Sequence, residues 1–275
     1  MADARRPDRT AQRDQLVGAY RAALEGLLAA TDELSDEAWG TETGCPGWDV
    51  HDQLAHCIGL ERRLLGDADL DPDVEVPDLP HLTGDVGRFL ERDVESRRRL
   101  GHDQLRAEAR DAFDRRLAVL AQLRPEQLEE ETASLVGPMR TSAALRQRVF
   151  DLVCHERDVR AAVRRLDGFS GPHVSQSVEQ GLRAWARALP SRVEGGDSLA
   201  VRLPHRDPAV LDLSNGELLR DAAATASASA TLRLTDADLL ALVSGRSDAP
   251  GVDGIEVAGD ESLVRRVLAV ASVTP

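Results

Sequence analysis

Three polar residues have types and spacing that suit a shared metal ion. Asp151 and His155 are four residues apart, and His56 lies in a separate amphipathic segment. Residues i and i+4 of a helix lie on one side, so this carboxylate and imidazole can bind the same ion. His56 is the natural third ligand, which would leave one coordination position open. An aspartate four residues before a histidine is also a common surface ion pair, and spacing alone favours that simpler interpretation.

The segment around His56 reads GCPGWDVHDQLAHCIGLERRLL over residues 44–65. Pro46 ends one element and the next glycine permits a turn, so a helix is predicted from about Asp49 to Leu65. On a helical projection, His51 and His56 lie at opposite borders of the apolar stripe. A border histidine is more often a half-buried hydrogen-bonding residue than a ligand, and His51 is expected to be exposed.

The three cysteines, Cys45, Cys57 and Cys154, form an odd set without a CxxC spacing. In a cytoplasmic chain such cysteines are not expected to form disulfides. Cys45 and Cys57 are expected to be structural. Cys154 precedes His155 but points about 100° away on the helix, so it would not share the ion.

Composition excludes several classes of function. The chain has 48 acidic and 34 basic residues, a formal net charge of -14, which argues against a nucleic-acid partner. No apolar run approaches the length of a membrane span, and the N-terminal segment does not resemble a secretory signal. We therefore expect a cytoplasmic protein without a membrane partner. The triplet Arg97-Arg98-Arg99 is expected to form a solvated helix face.

Helical periodicity dominates from about residue 10 to residue 166. The predicted helices are a first one ending near Thr31-Asp32, a second over 49–65, one long or two shorter helices divided near Gly101, and a last one over 141–166. This pattern predicts an up-and-down four-helix bundle.

The pattern changes in the C-terminal part of the chain. A helix over 178–189 precedes the short alternating runs LAVRL, AVLDL and ATLRL, then a helix, the strand GIEVAG and a closing helix with Asp260 as N-cap. The alanine-serine run AAATASASA is interpreted as a loop and strand edge. The predicted class is α+β, with a helical domain over 1–170 and a small α+β domain over 171–275.

Two motifs resemble one known family. CPGWDVHDQLAHCIGLERRLL resembles the CPGW-x-V-x-D-x-L-x-H-L signature of mycothiol-dependent maleylpyruvate isomerases and their relatives. GPMRTSAALRQRVFDLVCHERDVRAAV resembles a later segment of that family, in which GPM precedes a helix carrying Glu-x-x-x-His-x-x-Asp. The tail DLLALVSGR…GIEVAGDESLVRRVL is similar to the family's C-terminal domain, which is related to sterol-carrier folds.

The resemblance implies a fold and a ligand set. It implies an N-terminal DinB-like four-helix bundle that binds a divalent metal, usually zinc, followed by a sterol-carrier-like α+β domain. The ligands would be His56, Asp151 and His155. Asp151 departs from the family, which has glutamate there, and its shorter side chain requires a closer approach to the ion or ligation through water.

The resemblance also implies an activity. Mycothiol would be the thiol cosubstrate, and its metal-bound thiolate would add to an activated double bond or another electrophile, as in an isomerase or an S-transferase. Arg246, in VSGR, is the candidate catalytic cation for an anionic substrate, although an arginine there can also simply bind helix C-terminal carbonyls. Asp158 could orient His155 or be a surface charge. The alternative is a non-catalytic small-molecule or lipid binding protein with a retained metal site.

Overall fold

The computed structural model describes residues 8–68, 70–82, 84–134, 137–194 and 198–273. They form two compact units, of which one ends at His173 and the other begins at Val174. The first unit contains the helices α1 (Arg9–Ala30), α2 (Asp36–Trp39), α3 (Val50–Leu64), α4 (Gly84–Glu95), α5 (His102–Ala121) and α6 (Thr141–Ala162), and the short antiparallel pair β1 (Glu131–Thr132) and β2 (Met139–Arg140).

Four long helices build the bundle of the first unit. Helix α1 packs on α5 and α6, and α3 packs on the same two helices, while α4 covers a further side of α3. Because aromatic residues are scarce, leucine, alanine and valine side chains fill much of the interior. Asp8 caps α1 and Asp49 caps α3 through side-chain bonds to backbone N–H groups in the first turn. The predicted four-helix bundle is confirmed.

The second unit is a five-stranded sheet with helices. Its elements are α7 (Pro172–Ala188), β3 (Ser198–Arg202), β4 (Ala209–Asp212), β5 (Leu218–Leu219), α8 (Ala222–Ser227), β6 (Ala230–Arg233), α9 (Asp236–Val243), β7 (Glu256–Gly259) and α10 (Glu261–Ala269). The first two residues of α7 belong to the first unit. The strand order is β5-β4-β3-β6-β7, and only the β3–β6 pairing of this sheet is parallel. The predicted α+β class is therefore confirmed.

Several boundaries differ from those predicted. The region before residue 122 was predicted as one long helix or two shorter ones, and it is two, α4 and α5, with Gly101 in an extended conformation at the start of α5. The alanine-serine run was predicted as a loop and strand edge. Its end does enter the strand β6 at Ala230, but the loop interpretation is wrong for its first part: Asp221 accepts a hydrogen bond from the N–H of Ala224, and alanines with high helix propensity form α8. Helix α7 was predicted to begin at residue 178, but it begins at Pro172, and proline is favoured in the first turn of a helix. Asp260 caps α10 as predicted.

Among the described residues, no helix combines the length and the apolar content needed to cross a membrane.

Gly26 allows a close approach between α1 and α6. A Cβ at this position would lie 2.5 Å from Oε2 of Glu156, whose carboxylate also contacts Arg160 (2.7 Å) and His173 (3.0 Å). We expect Gly26→Ala to destabilise the protein by about 1–3 kcal/mol, because the crowded carboxylate is held by two partners. Gly18→Ala in the same helix is the control. Its Cβ would meet no described atom within 4 Å, so we expect it to stabilise by about 1 kcal/mol.

Denaturant unfolding measures both glycine variants. Similar stability changes for Gly26→Ala and Gly18→Ala would contradict the contact between α1 and Glu156.

Candidate metal centre

The structure brings the three predicted ligands together between α3 and α6. Nε2 of His155 lies 3.4 Å from Oδ1 of Asp151, and Nε2 of His56 lies 4.0 Å from Oδ2. One ligand atom from each residue lies within 4.8 Å of the other two. Both imidazoles are buried, whereas 38% of the Asp151 side chain is exposed. We call these residues the His-Asp-His triad.

The donor set and its spacing fit a divalent ion. Ligands bound about 2.1 Å from a tetrahedral zinc lie about 3.4 Å apart. The separation between His155 and Asp151 already has this value, and the other ligand atoms need to move by about 1 Å or less. Two imidazoles and one carboxylate suit zinc and also non-haem iron or nickel. The arrangement can therefore hold a metal through three protein ligands.

Neighbouring positive charges favour the ionised carboxylate of Asp151. Desolvation by surrounding atoms raises its pKa, but the charges of His155, Arg148 and His56 outweigh this effect and hold the pKa well below its ordinary value. Arg148 contacts Oδ2 of Asp151 directly. Oδ1, the oxygen nearer His155, is therefore the one better placed to bind an ion.

A tight loop before α3 places Trp48 against both histidines. The Trp48 ring centroid lies 4.8 Å from that of His56 and 6.0 Å from that of His155. Gly47 has φ of +83°, and a Cβ there would overlap the ring of His81, so glycine is required at this turn. Thr43 closes the loop, because its backbone N–H and its hydroxyl both donate to the Trp48 carbonyl.

A buried carboxylate fixes the other side of Trp48. The indole Nε1 donates to Oε2 of Glu91 over 2.8 Å, and Arg98 donates to Oε1 of Glu91 over 2.8 Å. Arg98 also binds Asp52 in the first turn of α3. These contacts tie the loop, α3 and the segment after α4 into one network beside the triad.

The arginine triplet was wrongly predicted to be a solvated face. Arg97 is buried and binds Glu108 over 2.8 Å, and Arg98 takes part in the network with Glu91. Arg99 is exposed as expected. Arginine tolerates burial where its planar guanidinium meets several acceptors. The polar and apolar pattern along one helix does not show whether such acceptors are present.

A second buried network lies behind Asp151. Arg148 donates from Nε to Oε1 of Glu61 over 2.7 Å and from Nη2 to the carbonyl of Cys57 over 3.2 Å. Tyr20 donates its hydroxyl to Glu61 over 2.8 Å, and Arg116 lies 3.4 Å from the same carboxylate. Burial and the neighbouring Glu61 charge raise the pKa of Tyr20, so the phenol remains a donor. This network holds Arg148 in place beside Asp151.

Removing the hydroxyl of Tyr20 tests this network. We expect Tyr20→Phe to lower the free energy of unfolding by about 1.5 kcal/mol, because a hydrogen bond to the buried Glu61 carboxylate is lost. Denaturant unfolding of Tyr20→Phe, Glu61→Gln and the double variant measures the coupling. Additive changes in the three variants would show that the hydrogen bond does not contribute.

Other residues singled out in the sequence lie as follows. His51 was wrongly predicted to be exposed: it is buried, its ring lies edge-on to Trp39, and Nε2 is 3.1 Å from the Leu100 carbonyl. Asp158 is fully buried, with its carboxylate 3.4 Å from Nη1 of Arg157, so the surface-charge interpretation is wrong. That Asp158 orients the ring of His155 stays a prediction.

All three cysteines lie among the residues that the structure describes. None of them is in a disulfide. Cys57 and Cys154 are buried, and burial raises the pKa of the Cys57 thiol, which keeps it protonated at neutral pH. A protonated thiol is a poor nucleophile and a poor metal ligand.

Arg246 follows α9 in the second unit. Its Nη1 donates to the carbonyl of Ser244 over 3.2 Å, and its backbone N–H donates to the carbonyl of Ala241. The first of these is the kind of contact expected of an arginine that satisfies helix C-terminal carbonyls. Its catalytic role remains a prediction.

Sequence reasoning missed three residues that contact the triad or the Trp48 ring beside it: Gln53, Glu91 and Arg148. Helical spacing offered a signal for two of them, since Gln53 precedes His56 by three residues and Arg148 precedes Asp151 by three. Glu91 lies on another helix, and nothing in its local sequence indicates that it accepts a hydrogen bond from Trp48.

The fold and the triad define a class of protein: a helical bundle with a candidate three-ligand metal centre, followed by an α+β unit. A family model described as the mycothiol maleylpyruvate isomerase N-terminal domain matches residues 20–160, slightly more than half of the chain. The chain therefore belongs to this family, as the two sequence motifs predicted.

Solved structures support the same fold. The chain is similar to a crystal structure of mycothiol-dependent maleylpyruvate isomerase, with 15% identity and a TM-score of 0.59. It is also similar to a crystal structure of a histidine-to-alanine mutant of such an enzyme, with 14% identity and a TM-score of 0.57. Each match covers 90% of this chain and 92% of the other. No curated protein sequence matches the chain significantly.

Proposed function

We propose that the protein is a cytoplasmic, metal-dependent enzyme that uses mycothiol, as an isomerase or a thiol S-transferase acting on a small electrophile. The observation that carries this proposal is the His-Asp-His triad, in a chain whose family is that of mycothiol maleylpyruvate isomerases. Three protein ligands and one open position are typical of catalytic rather than structural zinc sites. Zinc is the metal we propose.

Each residue of the candidate site would have a separate role. His56 and His155 would hold the ion from the buried side, and Asp151 would hold it from the half-exposed side. A bound divalent ion would supply Lewis acidity that lowers the pKa of a thiol in its open coordination position. The Trp48 ring would help to keep water away from the imidazoles, because its centroid lies 4.8 Å from that of His56 and 6.0 Å from that of His155. Arg246 is the proposed cationic partner of an anionic substrate.

Thiol-dependent turnover tests this proposal. Zinc-loaded protein is incubated with maleylpyruvate and with a panel of electrophiles, in the presence of mycothiol, glutathione or no thiol. We expect turnover of at least one electrophile that requires both zinc and mycothiol. Zinc binding without any mycothiol-dependent turnover would contradict the proposed enzymatic function. It would favour a non-catalytic small-molecule or lipid binding protein with a retained metal site.

A further inference from the structure

Gln53 connects the two sides of the candidate metal centre. It lies on α3 one turn before His56, its side chain is fully buried, and its Oε1 is 2.5 Å from Nδ1 of His155 on α6. We propose that Gln53 is a positioning residue that fixes the tautomer and the ring orientation of His155, so that the lone pair of Nε2 faces the ion site. This inference rests on the proposed function, because it concerns the same centre.

The hydrogen bonds of Thr43 indicate which end of the Gln53 amide faces His155. The hydroxyl of Thr43 donates to the carbonyl of Trp48 over 2.8 Å, and a carbonyl can only accept. With its hydrogen used in this bond, the Thr43 oxygen offers its lone pairs to Gln53, which presents its NH₂ group to it over 2.6 Å. Oε1 of Gln53 therefore faces His155.

The orientation of Gln53 determines the proton on His155. An amide oxygen accepts but cannot donate, so Nδ1 of His155 must carry the hydrogen. In the neutral ring Nε2 then bears the lone pair, and this is the nitrogen 3.4 Å from Asp151. Asp151 alone would favour the opposite tautomer, in which Nε2 donates to its carboxylate. Gln53 opposes that tautomer, which cannot bind a metal through Nε2.

Thr43 anchors Gln53 to the loop that carries Trp48. Its oxygen also accepts from the backbone N–H of Cys45 over 3.2 Å, so its two lone pairs and its hydrogen are all used. The same loop thus places Trp48 over His56 and holds the amide that orients His155. A metal-ligating histidine commonly requires such a partner on its other nitrogen, and its loss weakens metal binding about 10–100-fold.

Two substitutions separate positioning from packing. Gln53→Leu keeps a side chain of similar size but removes the acceptor of His155. Gln53→Glu restores an acceptor, and the Thr43 hydroxyl can turn to donate to the new carboxylate. Leu24→Val is the packing control, because Leu24 is a fully buried bundle residue on α1.

The first measurement uses the metal-free protein. Imidazole ¹⁵N shifts, with the His155 signals assigned by comparison with His155→Ala, report the tautomer at a pH where the ring is neutral. We expect the Nδ1–H tautomer in the native protein and in Gln53→Glu, and a mixture or the Nε2–H tautomer in Gln53→Leu. An unchanged tautomer in Gln53→Leu would overturn the inference.

The second measurement is zinc affinity, by competition with a chelator. We expect a loss of about 10–100-fold in Gln53→Leu, recovery in Gln53→Glu and no loss in Leu24→Val. Equal losses in Gln53→Leu and Leu24→Val would overturn the positioning role. If Gln53→Leu does not fold, Thr43→Val, which removes the anchor of the amide, is expected to shift the tautomer in the same direction. A native protein that binds no zinc would contradict the proposed function, while the tautomer would still decide the role of Gln53.

Discussion

Replacement of either histidine of the triad, His56→Ala or His155→Ala, is expected to abolish stoichiometric binding of a divalent metal. Each variant leaves one imidazole and one carboxylate, too few protein ligands for the proposed site. Metal content is measured by mass spectrometry after equilibration with zinc and removal of the excess. The native protein should also gain about 2.7 kcal/mol of stability at a free zinc concentration of 100 Kd, and both variants should lose this gain.

His51→Ala is the matched control for the histidine variants. His51 lies on the same helix as His56 and is similarly buried, but its Nε2 faces the Leu100 carbonyl and it is not part of the triad. We expect it to retain one zinc per chain. Full occupancy in both His56→Ala and His155→Ala would exclude these residues as ligands.

Asp151→Asn is expected to weaken zinc binding strongly. The substitution keeps the size of the side chain but replaces a carboxylate with a neutral amide, which is a poorer donor to a divalent ion. It also removes one of the two carboxylates that Arg148 contacts, so that Glu61 alone would balance the guanidinium beside the site. Zinc affinity, measured by chelator competition, gives the magnitude.

Asp151→Glu is the counterpart of the asparagine variant. It restores the glutamate of the family motif, so we expect zinc to be retained or bound more tightly. If Asp151 were only an ion-pair partner of His155, both variants would leave zinc binding unchanged and alter stability by about 1 kcal/mol or less. Equal zinc affinity in native protein, Asp151→Asn and Asp151→Glu would remove Asp151 from the site.

The grouping of the triad could be predicted from sequence because it depends on local geometry and one motif. The i, i+4 spacing of Asp151 and His155 sets their common side of α6, and the family motif pointed to His56 on α3. That His56 joins them was predicted from the residue types, and the resemblance implied the same ligand set. The structure supports it, since their ligand atoms lie within 4.8 Å of one another.

The partners of the triad could not be predicted, because they depend on contacts between distant parts of the chain. Gln53 and His155 are 102 residues apart, and Trp48 and Glu91 are 43 apart. The same limit explains the errors on His51 and Arg97. His51 was predicted at a polar border and Arg97 on a solvated face, but the Leu100 carbonyl lies against the first and Glu108 accepts from the second. The domain limits and the catalytic role of Arg246 remain predictions.

X-ray absorption at the zinc edge, recorded on zinc-loaded protein before and after addition of mycothiol, tests the central claim most directly. We predict a first spectrum with nitrogen and oxygen ligands, two of them imidazoles, and a second with one added sulfur at about 2.3 Å. His155→Ala treated in the same way should give no bound zinc. Sulfur ligation before mycothiol is added, or no sulfur after it, would contradict a triad that holds the ion with a position open for the thiol.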